Sequence, residues 1–79
     1  MGRVNAIWKC ERTSPMETLD MIQEEWNGDG GEYTRVTLEN FDRMWENQDR
    51  WESSRLDLKE KLKGQVAAGQ KIYWFTVHY

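Results

Sequence analysis

Residues 71–79 read KIYWFTVHY and form the segment that decides the fold. Their side chains alternate between two faces, as in a β-strand. One face carries Ile72, Trp74 and Thr76, and the other carries Tyr73, Phe75, Val77 and Tyr79. Because both faces are apolar, the pattern is typical of a strand that is central in a sheet or covered on both sides.

The amino-terminal residues 3–12 predict another strand. Val4, Ala6, Trp8 and Cys10 fall on one face, whereas Arg3, Asn5 and Lys9 fall on the other. Such period-two alternation predicts a half-buried strand, and Ile7 is its exception. Cys10 is the only cysteine of the chain, so it forms no internal disulfide, and we expect it to be a small buried apolar residue.

A helix start follows this strand. Ser14 has the character of an N-cap, Pro15 suits the first helical position, and Glu17 completes a capping box. A buried stripe then repeats at intervals of three and four residues. It consists of Leu19, Ile22 and Trp26, helped by Met16.

The stretch EEWNGDGGE at residues 24–32 predicts the end of this helix rather than a ligand site. Asn27 or Gly28 suits the left-handed conformation that closes a helix, and the later glycines permit a tight reversal. The stretch lacks the residue spacing of a phosphate-binding loop or of an EF-hand. Residues 32–38 (EYTRVTL) then predict a second strand.

Residues 38–68 keep one helical phase, which leaves two architectures open. A single helix of this span would be about 46 Å long, so it would have to project or bend. Two helices that break at Ser53 and Ser54 would fit a small domain better, with Ser54 and Asp57 as a second capping box. We favour two segments, and Gly69 is the expected glycine beyond the last helical turn.

These segments predict one domain over residues 1–79 with an α+β fold. The element order is β-α-β-α(-α)-β, and the fold is a small three-stranded sheet with the helices packed on one face. The other face of the sheet would then be uncovered unless a partner lies on it.

The chain offers little for catalysis or metal binding. It has one histidine, His78, next to the end, and one cysteine. A general base needs an orienting group and a nucleophile nearby, and a metal site usually needs several such ligands. We therefore expect no enzyme, no metal and no cofactor. No stretch approaches the ~20 apolar residues of a membrane span, so we expect a cytoplasmic protein without membrane association.

Charge is distributed unevenly although the net charge is only −3. Residues 13–34 contain six acids and no lysine or arginine: Glu17, Asp20, Glu24, Glu25, Asp29 and Glu32. In the following helical phase, four more acids form a stripe: Glu39, Asp42, Glu46 and Asp49. Arg43 and Arg50 stand four residues after two of these acids, which predicts local pairing.

Two interpretations of these acids remain open. They are either ordinary solvated helix faces or a negative surface that resembles a phosphate backbone and attracts the basic groove of a nucleic-acid-handling protein. Under the second interpretation all ten acids are candidate contacts. Trp26 and Trp45 flank the acidic zones and are candidate hydrophobic anchors, since tryptophan is enriched at interface hot spots.

In size, acidity and tryptophan content the whole chain resembles the small inhibitors that phages and mobile elements carry, anti-CRISPR proteins among them. No diagnostic motif accompanies this resemblance. It implies binding to a host nucleic-acid machine in the host cytoplasm, often by blocking the surface that recognises DNA or the target.

Two other functions are kept as alternatives. Tyr73, Trp74, Phe75 and Tyr79, with Lys71 beside them, could stack single-stranded bases, although the acidic balance makes direct nucleic-acid binding unlikely. A self-associating structural or adaptor protein could use the uncovered sheet face or a long amphipathic helix, with Gln48 and Arg55 as polar seam residues. This second alternative includes homodimerisation.

Overall fold

The central position of the carboxy-terminal strand is confirmed in a computed structural model, which describes residues 2–79. The elements are β1 (Arg3–Lys9), α1 (Pro15–Trp26), β2 (Gly30–Arg35), α2 (Phe41–Asn47), α3 (Leu56–Ala67) and β3 (Ile72–His78). The three strands form one antiparallel sheet in the order β1-β3-β2. The α+β class and the predicted order of elements are therefore confirmed.

The helices lie on both faces of this sheet, which corrects the expectation that they share one face. Helix α1 packs its Leu19 and Ile22 against Phe75 and Val77 of β3. Helices α2 and α3 pack on the opposite face around Ile72. Neither face is left without a helix, and this explains why β3 is apolar on both sides.

The second layer also explains the exception in the alternation of β1. Ile7 points away from Val4 and Ala6, and it is fully buried beneath α2 beside Phe41 and Trp45. A strand that is covered on both faces needs an apolar residue on each of them. Ile7 is thus a core residue of the second layer.

Helix α1 has the predicted N-cap and the predicted end, but the Glu17 side chain does not complete the capping box. The Ser14 hydroxyl accepts a hydrogen bond from the Glu17 backbone N–H at 3.2 Å, and Pro15 occupies the first turn. Asn27 adopts the left-handed conformation at φ 52° and its N–H bonds back into the last turn. The turn then brings Gly28 against β3, where the adjacent Asp29 N–H donates to the His78 carbonyl at 2.8 Å.

Residues 38–68 form two helices, as we favoured, and the break includes Ser53 and Ser54 but begins earlier. Helix α2 ends at Asn47, and residues 48–55 are not helical. The buried side chain of Gln48 turns back on Trp51, where its Oε1 accepts from the backbone N–H at 2.7 Å and its Nε2 donates to the carbonyl. The hydrogen bonds of this side-chain amide replace those that the backbone would make in a further helical turn.

The predicted capping box at Ser54 does not form. Helix α3 has Arg55 as its N-cap, with no hydrogen bond from a capping side chain, and Arg55 instead bonds to Asp57 through two nitrogens at 2.9 and 3.0 Å. At the other end, Gly69 takes φ 84°, as expected for a glycine beyond the last turn. Cys10 is buried, as predicted.

Among residues 2–79, no helix has both the length and the apolar character needed to cross a membrane.

Candidate binding cleft beside helix α1

A cleft of about 370 Å³ opens between α1 and the edge strand β1. It forms because α1 packs mainly against β2 and β3, which leaves the β1 side of the same sheet face less covered. The lining residues come from β1, from the end of α1 and from the segment after α2. They are Val4, Ala6, Trp8, Ile22, Glu25, Trp26, Asp49 and Arg50.

The cleft has an apolar floor and aromatic walls. Val4, Ala6 and Ile22 are buried, whereas Trp8 is half-buried. The Trp26 side chain is 44% exposed, and its ring centre lies 5.6 Å from that of Tyr79. The Trp26 ring therefore packs against Tyr79 and remains partly exposed to solvent, so it can act as a hydrophobic anchor for a partner.

Arg50 closes the opposite wall. Its guanidinium lies 3.7 Å from the ring centre of Trp8 and 4.5 Å from that of Trp51, and Nη1 donates to the Ile7 carbonyl at 3.2 Å. Partial burial between these groups lowers the pKa of Arg50, and the nearby Glu25 carboxylate acts in the opposite direction. Arg50 stacks on these rings instead of pairing with Glu46, since no such ion pair is present among residues 2–79.

The six acids of residues 13–34 all lie on the surface. We call them the acidic surface: Glu17, Asp20, Glu24, Glu25, Asp29 and Glu32. In the part of the chain that the structure describes, none of them lies within ion-pair distance of a lysine or arginine. Helical spacing places Glu17, Asp20 and Glu24 on the side of α1 opposite its core residues, while Glu25 lines the cleft.

The four later acids do not form the stripe that we predicted. Only Asp42 and Glu46 lie within α2, since Glu39 precedes it and Asp49 follows it. The structure also places them with α2, on the face of the sheet opposite α1. Only Asp49 comes round the β1 edge to meet Glu25 in the cleft.

Two of these four acids make intramolecular contacts. Asp42 lies 3.4 Å from Lys59 Nζ and 3.5 Å from Lys63 Nζ, so it joins α2 to α3. The hydrogen bond from Lys59 and the charge of Lys63 lower the pKa of Asp42. Asp49 Oδ2 accepts from the Asn5 backbone N–H at 2.8 Å. The predicted partner of Glu39, Arg43, forms no ion pair within residues 2–79.

Trp45 is a core residue and not a surface anchor. It is 1% exposed, stacks between Phe41 and Trp51, and donates its indole N–H to the Ser53 carbonyl at 3.0 Å. A side chain that is satisfied in this way is unavailable to a partner. This corrects its assignment as a contact residue.

Sequence reasoning missed two exposed methionines beside the acidic surface. Met16 was expected in the buried stripe but is 62% exposed, and Met21 is 54% exposed. Thr18 is buried instead, with its hydroxyl bonded to the Ser14 carbonyl and near Thr13 and Cys10. Helical phase was the available signal for Met21, since it falls on the outward side between Glu17 and Glu24.

In the described part of the chain, residues 2–79, the base-stacking platform and the long helix that the alternatives require are not present. Phe75 is fully buried, and Tyr73 and Trp74 point to opposite faces of the central strand, so the aromatic residues do not form one stacking platform. The long helix with Gln48 and Arg55 on its seam is interrupted after Asn47. Self-association would need another surface.

Within residues 2–79, no three histidine, cysteine or acidic side chains are grouped as metal ligands, and His78 is exposed at the end of β3. Comparison with protein-family models, with curated proteins and with solved structures finds no match to this chain.

Proposed function

We propose that this chain is a non-enzymatic binding protein that docks its acidic surface on a basic nucleic-acid-handling protein and blocks the site that recognises DNA or the target. The observation that carries the proposal is that Glu17, Asp20 and Glu24 share the outward side of α1, and that none of the six exposed acids forms an ion pair among the described residues. Because these carboxylates form no ion pair, their field acts on approaching molecules and raises the rate of association with a basic surface. This action is that of a small phage or mobile-element inhibitor of the anti-CRISPR kind.

Spacing supports a basic groove as the docking partner. Glu17, Asp20 and Glu24 follow one another at about one helical turn, or about 5 Å. A groove that binds a nucleic-acid backbone has lysines and arginines arrayed to meet successive charges. The outward side of α1 offers such a series on a rigid element.

Apolar contacts beside the charges would give the complex its stability. Met16 and Met21 are exposed next to the carboxylates of α1, and methionine adapts to varied surfaces. Trp26 stands at the mouth of the cleft, where it can insert into a pocket of the partner. Charges would then guide the approach, and these three side chains would slow dissociation.

The test compares two charge reversals of equal size. In Glu24→Lys/Glu25→Lys the acidic surface is altered, whereas Glu52→Lys/Glu60→Lys alters exposed acids of the α2–α3 segment and of α3. The last turn of α1 contains no basic residue, so lysine there complements the helix dipole. This gain offsets the repulsion that Glu25→Lys introduces beside Arg50, so we expect the first variant to keep its melting temperature.

Tagged forms of the native chain and both variants are used to capture proteins from a nuclease-treated bacterial lysate at low and high salt. We expect the native chain and the α3-side variant to retain the same nucleic-acid-handling protein at low salt, and added duplex DNA to displace it. The Glu24/Glu25 variant should lose it. Equal retention by both variants, or binding that is unaffected by salt, would contradict the proposal, as would a melting temperature that falls in step with binding.

A further inference from the structure

The two edges of the sheet differ in how their backbone groups are satisfied. At the β1 edge, the Asn5 N–H donates to Asp49 Oδ2 at 2.8 Å and the Asn5 carbonyl accepts from the Asp49 N–H at 2.7 Å. The Ile7 carbonyl accepts from Arg50. Residues 47–51 thus bond to the outward backbone groups of this edge, as a fourth strand would. Along the β2 edge, the described residues supply one such bond, from Asn40 to the Arg35 carbonyl.

The outward groups of β2 follow from its pairing with β3. The Val36 N–H donates to the Ile72 carbonyl at 2.9 Å, so the alternation of an antiparallel ladder turns the groups of Thr34 and Glu32 toward β3 as well. The Arg35 carbonyl points outward, since it accepts from Asn40 Nδ2 at 3.2 Å. The N–H and carbonyl groups of Gly31 and Tyr33 therefore also point outward, and among residues 2–79 they have no hydrogen-bond partner.

Strand β2 has two charged residues, Glu32 and Arg35, but lacks the other protections of a free edge. Within Gly30–Arg35 there is no proline and no lysine, and its register with β3 is continuous. Natural proteins blunt free edges with such residues or with bulges because an unprotected edge pairs with other strands. The amino-terminal half of β2 is also narrow, since Gly30 and Gly31 carry no side chain.

We propose that β2 pairs with β2 of a second copy of this chain, antiparallel, with Tyr33 opposite Tyr33. A twofold axis perpendicular to the sheet would then join two three-stranded sheets into one. Each Tyr33 would exchange two backbone hydrogen bonds with its counterpart, and each Arg35 N–H would donate to a Gly31 carbonyl. The tyrosine rings would meet as a cross-strand aromatic pair.

The side chains of β2 are compatible with a copy of themselves in this register, which favours a second copy as the occupant. With Tyr33 opposite Tyr33, Glu32 faces Thr34, and no like charges face one another. A shift of two residues in one direction would set Glu32 against Glu32. The Arg35 carbonyl is already bonded to Asn40, and the proposed register keeps four backbone bonds between residues 31 and 35 without it. The shift in the other direction would pair Tyr33 with Arg35 and would keep only two.

The experiment measures mass against concentration by sedimentation and light scattering for the native chain and for two variants at the exposed Thr34. Thr34→Glu would face Glu32 twice across the axis, and we expect it to raise the dissociation constant about three- to tenfold. Thr34→Lys has the same position and a similar length but the opposite charge, and should lower the constant. Circular dichroism shows whether each variant is folded.

Salt separates this contact from the docking of the acidic surface. Two chains that each carry a net charge of −3 repel one another, so screening should strengthen self-association, whereas it should weaken binding to a basic partner. A native chain that stays monomeric up to its solubility limit would overturn the proposal. Weakening by both Thr34 variants would also overturn it, because that result would place Thr34 opposite Thr34.

Discussion

The guanidinium carbon of Arg50 lies 3.7 Å from the ring centre of Trp8, although the two residues are more than forty positions apart in the chain. Trp51 takes part from the other side at 4.5 Å, and the Ile7 carbonyl accepts a hydrogen bond from the same guanidinium. Arg50 therefore fastens the segment after α2 to strand β1 and builds one wall of the cleft.

Arg50→Lys should reduce the free energy of unfolding by about 1 kcal/mol, because lysine keeps the charge but loses the planar stacking on two rings. Denaturant unfolding followed by tryptophan fluorescence measures this change. Arg43→Lys, at an exposed position on α2, is the matched control and should change stability by less than about 0.5 kcal/mol. Equal effects at the two positions would show that the stacking contributes nothing.

Ser14→Ala should cost about 1 kcal/mol, because the N-cap bond to the Glu17 N–H is lost. Ser54→Ala tests the position where a second cap was predicted and is not formed, so its effect should be close to zero. Thermal and denaturant unfolding of both variants measure these changes in the free energy of unfolding. A cost at Ser54 equal to that at Ser14 would mean that Ser54 does cap α3 in solution.

Gly28→Ala should destabilise the fold by about 1–3 kcal/mol, because a Cβ atom there would overlap the Val77 side chain and lie 3.1 Å from the His78 carbonyl oxygen. Gly30→Ala is the control, since a Cβ atom at Gly30 has no neighbour within 4 Å. Chemical denaturation of the two variants measures the difference. If Gly28→Ala were neutral, the turn would not be pressed against β3 as described.

Asp42 should titrate below the usual range of aspartate, because Lys59 and Lys63 favour its charged form. A carboxyl whose pKa is lowered by folding stabilises the protein above its unfolded pKa, and this contribution is lost as the pH falls through the folded pKa. Carboxyl NMR shifts followed through an acid titration give the pKa of Asp42. Lys59→Met/Lys63→Met should bring it back up, and an unchanged pKa in that variant would show that the lysines are not its cause.

Local signals in the sequence were sufficient for the ends of α1 and for the central strand. Ser14 and Asn27 act through bonds to residues three or four positions away, so the sequence contains all that is needed to predict them. The residues of KIYWFTVHY need only their own alternation to predict a strand. The placement of helices on both faces depends on long-range packing, although Ile7 and the two apolar faces of β3 were a usable signal.

The candidate site was harder to predict because long-range contacts decide which polar residues remain free. The helical phase of residues 38–68 continues past Gln48, so it gave no sign that α2 ends there. Trp51 fits the phase because it is apolar, although it lies outside the helices and packs against Trp45. The assignment of Trp45 as an anchor failed because spacing does not measure burial. Arg50 was assigned to Glu46 by sequence distance, whereas its actual partners lie in β1 and in the next residue of the chain.

The two hydrogen bonds between Asn5 and Asp49 set a limit on the stoichiometry of any assembly that this sheet can build. If both edges were open, head-to-tail addition of one strand edge to another would propagate without end and give filaments. With one edge occupied by the chain's own residues 47–51, addition through the other edge terminates after a single step. Loss of the Asp49 carboxylate alone would free only the Asn5 N–H, because the Asp49 N–H and Arg50 would still hold the carbonyls of Asn5 and Ile7, so the particle would stay finite.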